Sequence, residues 1–216
     1  MKQYAIIGMG RFGRSVAHTL NDLGYQVLAI DNNSKKVNKV LPSITRTVEC
    51  DATIESALRA SGIKACEVVV VAVGSITSAT RIITLLKDMN IKHIIARADN
   101  LLDKRILKAV GADKIVLPEY DMGKRLARSI SAPNLKEFIE LSKTIGIVEF
   151  TPFESMINKS IRELDLQAKY EVSVVAIKSN NNELNFNPCS ADLVKEEQSL
   201  LLIGDIAKLQ KLRELN

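Results

Sequence analysis

Six residues near the N-terminus, Gly8-Met9-Gly10-Arg11-Phe12-Gly13, have the spacing of a phosphate-binding turn. They follow a short apolar run, YAII, and open a segment with helical periodicity. In that context each glycine has a task. Gly8 permits a tight turn, Gly10 lets the backbone approach a phosphate, and Gly13 lets a helix pack closely on a sheet. The helix N-terminus adds unpaired N–H groups and a positive dipole end, both of which favour an anion. Asp31, with Asn32 directly after it, ends the second apolar run eighteen residues past Gly13. A carboxylate there accepts hydrogen bonds from ribose hydroxyls and repels a 2′-phosphate. The chemistry implied is nucleotide binding that disfavours NADP.

Two more segments belong to the same site. Cys50-Asp51-Ala52-Thr53 follows the third apolar run, and Asp51 is placed equally well to meet an adenine edge or to cap the next helix. Ala72-Val73-Gly74-Ser75 follows the fourth run, where ligands meet strand ends at the switch point of a doubly wound sheet. Arg11 lies inside the turn itself. A long cation there reaches a β- or γ-phosphate, which favours ADP or ATP over a nicotinamide dinucleotide. It is otherwise an exposed first-turn arginine, unfavourably near the positive helix end.

The elements that must position these residues alternate. Strands are expected at 4–7, 27–30, 46–49, 68–73, 93–96 and 114–117, nearly all apolar throughout, as in a parallel sheet covered on both faces. Helices are expected at 12–23, 53–60, 78–89 and 102–110, with Gly24, Gly62 and Gly111 at C-cap positions after three of the helical patterns. The fold class is α/β, a Rossmann-like doubly wound parallel sheet over residues 1–120. From 121 to 142 the pattern reads as two helices broken at Ala132-Pro133, with Asn134 capping the second, a crossover or dimerisation segment. Residues 143–216 form a small α+β lobe. Its expected parts are strands at IVEFT, VSVVAIKS and SLLLIG, a helix at 155–164, a turn at 179–183 and a terminal helix at 206–215.

Composition excludes several classes. With 46% hydrophobic and 25% charged residues the chain is neither disordered nor a membrane span. Met1 runs straight into a strand, so no signal peptide is expected and the cytoplasm is the expected compartment. Three scattered cysteines and two histidines make neither a disulfide framework nor a zinc site. A net charge of +5 and 4% aromatics give no nucleic-acid footprint.

Together, IIGMGRFGRSVAHTL, LAIDNNSKKV, CDAT, VVVVAVG, GADKIVLPEYDMGKRLA and AKYEVSVVAIK resemble the RCK (KTN) regulatory subunits of Ktr/Trk-type potassium transporters. The resemblance runs in order along essentially the whole chain; GRFG and the PE-x-DMG segment are its most specific parts. It implies homodimers that close into an octameric ring beneath a membrane-embedded potassium-transporter pore subunit. It implies ATP and ADP as ligands, with NAD(H) in some members. On that analogy Gly8, Gly10 and Gly13 cradle phosphates with Phe12 in the same turn, and Arg11 contacts the γ-phosphate. Asp31 with Asn32 holds ribose, Asp51 and Ala52 lie near adenine, and Val73 and Gly74 border the phosphates. Some relatives bind a divalent or sodium ion at a subunit interface through the glutamate matching Glu119, a position that equally suits a solvated helix-start acid. Others bind cyclic di-AMP with an arginine where this chain has Gln167. That departure counts against cyclic di-AMP here, although Ile161 and Pro188 still offer apolar walls.

Two other readings fit the glycine turn. A small NAD-dependent oxidoreductase needs a general acid or base facing the cofactor. His18 falls within the first helix and His93 precedes a strand, so neither is placed for it. An NADH-sensing redox regulator of transcription needs a DNA-binding module, and neither end supplies one. The expectation is a protein that is not an enzyme.

Overall fold

Short runs of valine, isoleucine and alanine become strands here because both of their faces are covered. The computed structural model describes residues 2–131 and 134–212. Its first sheet contains β1 (Gln3–Ile7), β2 (Gln26–Asp31), β3 (Arg46–Glu49), β4 (Val68–Val71), β5 (His93–Arg97) and β6 (Lys114–Val116). The order is β3-β2-β1-β4-β5-β6, with every pairing parallel. Alternate strand residues enter different cores. Ala5, Ile7, Val69 and Val71 pack under α3 (Glu55–Ala60), α4 (Ile76–Asp88) and α5 (Leu101–Val110), against Leu58, Ile82, Ile83, Leu86 and Leu107. Ile6, Ala29 and Val70 pack on the other face, against Ala17 of α1 (Arg11–Asp22) and Val40 of α2 (Ser34–Val40). Each fully buried Val or Ile contributes about 1.5–3 kcal/mol.

The chain passes from β3 back across the sheet to β4, so β1 and β4 are neighbours that lead into connections on opposite faces. That reversal opens a crevice at their C-terminal ends. The strand expected to reach Val73 ends at Val71, and Ala72-Val73-Gly74 leaves the ladder to border this crevice.

Two compact units divide the chain, Met1–Met122 and Gly123–Asn216. Helix α6 (Pro118–Ser131) contains the boundary. The second unit is built on β7 (Leu135–Glu140), β8 (Ile145–Phe150), β9 (Val172–Lys178), β10 (Leu184–Phe186) and β11 (Ser199–Asp205). They form an antiparallel sheet ordered β10-β9-β11-β8-β7. Val148, Phe150, Leu200 and Leu202 pack with the short helices α7 (Ile161–Leu164), α8 (Leu166–Tyr170) and α9 (Ile206–Lys211) through Leu164, Leu166 and Leu209. Among the described residues no helix is long and apolar enough to cross a membrane.

Three expectations are corrected. Residues 135–140 do not continue as a capped helix; they form β7, paired with β8, and Asn134 lies in the turn before it. Its register shifts between Leu135 and Glu137, so Leu135 and Phe138 both join the core at a separation of three, a helix-like spacing produced by a bulge. The helix expected at 155–164 is two pieces, a 3-10 turn at Glu154–Met156 and α7. Asn158 lies between them at φ +62°, and Ser160 pairs with Leu193 before capping α7. The turn expected to end at 183 is followed by a strand not foreseen, β10. The Ala132-Pro133 break and residues 213–215 of the terminal helix lie outside the described residues.

Candidate functional site

The glycine turn between β1 and α1 is shaped by close backbone contacts. Gly8 has φ +98°, and a Cβ there would stand 2.8 Å from the carbonyl oxygen of Ala72. Its N–H donates to the Ile30 carbonyl at 2.7 Å. A Cβ on Gly13 would fall 1.9 Å from the Gly8 carbonyl oxygen, so α1 can meet the turn only without a side chain there. Gly10 is the N-cap of α1, and a Cβ on it would meet nothing within 4 Å. Its freedom from packing leaves the backbone open to a ligand.

Asp31 closes the turn from the side of β2. Its carboxylate is buried; Oδ2 accepts the Met9 N–H at 2.7 Å and Oδ1 accepts the Asn33 N–H at 2.9 Å. The Lys36 Nζ lies 3.5 Å from Oδ2. A carboxylate has about four acceptor sites, so Asp31 can hold the turn and still face a hydroxyl donor.

Gly8, Gly10, Asp31, Asn32, Asp51, Ala52, Val73 and Gly74 line one cleft of about 460 Å³ at the switch point. Two helices begin at its edge. Gly10 caps α1, and Ser75 caps α4 by accepting the Ser78 N–H at 3.3 Å. Asp51 does not cap α3, whose N-cap is Ile54; its Oδ1 accepts both the Thr53 hydroxyl (2.7 Å) and the Thr53 N–H (2.9 Å). Those bonds hold the Asp51 carboxyl below its usual range. Beside it Cys50 also lines the cleft, its thiol pushed up by burial and then by the Asp51 charge.

Other expected residues lie off this wall. Arg11 is exposed at the start of α1, outside the cleft lining. Phe12 is half-buried against the core beneath α1, and Gly13 serves the helix packing. Glu119 opens α6, where its carboxylate pairs with Arg97 at 3.2 Å. Asp99 pairs with the same guanidinium nitrogen at 2.8 Å. Within one chain both acids therefore face the same cation. Among the described residues no group of three or more His, Cys, Asp or Glu is placed to hold a metal.

The cleft contains two cations that the motif did not single out, Lys36 and Arg97. Their signal is positional. Arg97 is the last residue of β5, and Lys36 lies in the first turn of α2 after Asp31, both at the C-terminal edge of the sheet. The arrangement offers two helix N-termini and two cations to an anion, and a buried carboxylate to a hydroxyl donor.

Both units match known domain models. The TrkA-N domain model matches residues 4–118, and the TrkA-C domain model matches residues 146–216. Ktr system potassium uptake protein A of Bacillus subtilis is 38% identical over 94% of this chain and 91% of its own length. The Vibrio alginolyticus protein of the same name is 30% identical over 99% of this chain and 98% of its own. Among solved structures, the GsuK channel bound to NAD superposes on 99% of this chain with a TM-score of 0.71 at 16% identity; the match spans 39% of that longer chain. The chain belongs to the family of TrkA-N/TrkA-C domain proteins that includes the Ktr system potassium uptake proteins.

Proposed function

We propose that this chain is a cytosolic regulatory subunit that binds ATP and ADP in the switch-point cleft and gates a membrane potassium transporter. The observation that carries the reading is the convergence there of two helix N-termini, Arg97 and the buried Asp31 carboxylate. The likeness to potassium uptake proteins over nearly the full length supports a membrane-embedded pore subunit as the partner. In this reading Gly8, Gly10 and Gly74 cradle phosphates, with Val73 at their border. Asp31 and Asn32 hold the ribose, and Asp51 and Ala52 flank the adenine. Arg11, exposed at the mouth of the turn, contacts the γ-phosphate. The working assembly is a ring of homodimers, with α6 in the dimerisation segment.

Gating follows from population shift. A ligand moves a ring only by binding one shape better than another. ATP held through Arg11 favours the transport-active shape, and ADP, lacking that contact, favours the inactive one. NAD(H) is the second reading, favoured by the same carboxylate, which suits any adenosine ribose with a free 2′-hydroxyl.

Calorimetric titration of the purified chain with ATP, ADP, NAD and NADH, with and without magnesium, tests the proposal. ATP and ADP should bind at least about tenfold more tightly than either dinucleotide. Arg11→Ala should then shrink the difference between ATP and ADP. A clear preference for NADH would overturn the reading in favour of a redox sensor. An unchanged ATP/ADP affinity ratio in Arg11→Ala would remove Arg11 from the mechanism.

A further inference from the structure

The ribose wall of the cleft does not present the charge that its motif implies. A lone carboxylate after a second strand repels a 2′-phosphate, whereas a nearby cation accommodates one. Asp31 is not alone. Its side chain is 4% exposed, and its two oxygens already accept the Met9 N–H at 2.7 Å and the Asn33 N–H at 2.9 Å. The Lys36 Nζ stands 3.5 Å from Oδ2, with 48% of its side chain exposed, and lines the same cleft. The accessible charge on this wall is therefore the ammonium, and the withdrawn one is the carboxylate.

Lys36 has donors to spare. An ammonium carries three N–H groups, and its distance from Asp31 exceeds that of a tight charge-assisted bond, about 2.7–2.9 Å. Its helix, α2, adds Lys35 and Lys39 and contains no acid. Two acids lie on this side of the sheet. Glu49, beside Asp31 in register on β3, is exposed and outside the cleft lining. Asp51 does line the cleft, with its Oδ1 turned onto Thr53. The flexible four-carbon stem of Lys36 lets its ammonium follow an incoming anion, while both Asp31 oxygens stay fixed by backbone N–H groups.

We propose that Lys36 makes the ribose wall accept a phosphate on the 2′ oxygen, so that 2′-phosphorylated adenosine ligands belong to the class this cleft binds. The inference rests on the nucleotide reading above and widens it. NADP-type ligands, which the Asp31 position on its own disfavours, enter beside those with a free 2′-hydroxyl.

Calorimetry on the full chain, in EDTA and low salt, would compare ADP with 2′-phospho-ADP, two ligands that differ only in the 2′-phosphate. The readout is the ratio of their affinities, which cancels whatever Lys36 contributes to the shared part of the ligand. The native chain should bind 2′-phospho-ADP no more than about threefold more weakly than ADP. Lys36→Gln should lower the relative affinity of 2′-phospho-ADP by about tenfold, the scale of one charge-assisted bond. Lys36 is exposed, so the substitution leaves the core untouched. Lys35→Gln removes the same charge from a neighbouring position outside the cleft lining, and should move the ratio by less than about twofold. The assignment would be overturned if native 2′-phospho-ADP were weaker than ADP by more than about threefold, or if Lys36→Gln shifted the ratio no more than Lys35→Gln, and in either case the nucleotide site would stand. If ADP itself did not bind, the nucleotide reading would fail and this inference with it.

Discussion

Replacing Asp31 by alanine tests whether a buried charge, rather than glycine alone, holds the phosphate turn. The substitution removes the acceptor for the Met9 N–H, whose residue is 1% exposed, and for the Asn33 N–H. A hydrogen bond to a charged group contributes about 1.5–3 kcal/mol, and a buried donor left unpaired bears the full cost of its desolvation. Water can replace the acceptor at Asn33, which is exposed, but not at Met9. The Lys36 pair, half-exposed on the lysine side, adds less than about 1 kcal/mol. The expected loss is therefore about 2–4 kcal/mol. For a unit of this size that lowers the melting temperature by roughly 8–15 °C. Asp31→Asn keeps one oxygen acceptor and should lose about half as much. Differential scanning calorimetry of the ligand-free protein gives the first readout. Hydrogen exchange of the peptide spanning residues 5–13 gives a local one, with exchange at Met9 at least about tenfold faster. Loss of nucleotide binding alone would not decide the matter, since a ribose contact would go too. If Asp31→Ala melted within about 2 °C of the native chain and left the Met9 amide protected, the turn would be set by its glycines and the reasoning refuted.

The glycines of the turn should separate cleanly. Gly13→Ala forces a Cβ to within 1.9 Å of a backbone oxygen, so it should destabilise the ligand-free protein by more than about 3 kcal/mol, read as a fall in melting temperature. Gly10→Ala meets nothing and should cost under about 1 kcal/mol of stability, yet weaken ADP about tenfold or more by filling the ligand's approach; equal melting losses for the two would contradict the packing account. In the second unit, burial pushes Glu149 up, but hydrogen bonds from Lys178 and Ser199, with the charges of Lys178 and Lys136, hold its carboxyl below the usual range. A depressed folded-state value means stability that is complete above the unfolded glutamate value, near about 4.3, and lost as the pH falls through the lower folded one. Glu149→Gln should accordingly flatten the decline of melting temperature with acid below about pH 5, and an unaltered slope would exclude this carboxylate as its source.

The parallel sheet was legible because its strands are apolar on both faces and its turn residues are specific. Gly8, Gly10, Asp31 and Gly74 could be assigned to one crevice from their places after successive strands. The second unit was harder to read. In β7 the bulge after Leu135 puts two inward residues three apart, and a propensity argument takes that spacing for a helix turn. At 155–164 the sequence does carry the true boundary, since Ser160 and Glu163 form a capping box, but the apolar residues before it masked the interruption at Asn158. Arg97 went unremarked because nothing in its local sequence distinguishes a strand-end cation from a solvated one. Only the pairing of β5 with β4 brings it to the cleft.

The walls of the cleft recur along the chain at Gly8, Asp31, Asp51, Gly74 and Arg97, at intervals of twenty to twenty-three residues. Each comes from the carboxyl end of a different strand, or from the residues just beyond it, so the site is a collection of single contributions from five repeating units. Such a site tolerates change very unevenly. A helix on the outer faces can lengthen, shorten or exchange its exposed side chains without moving any wall residue, because the strand register alone sets their positions. A one-residue slip in a single strand would withdraw one wall and leave the other four intact. Lineages sharing this architecture are therefore free to vary the helices widely, and to retune ligand preference one strand end at a time.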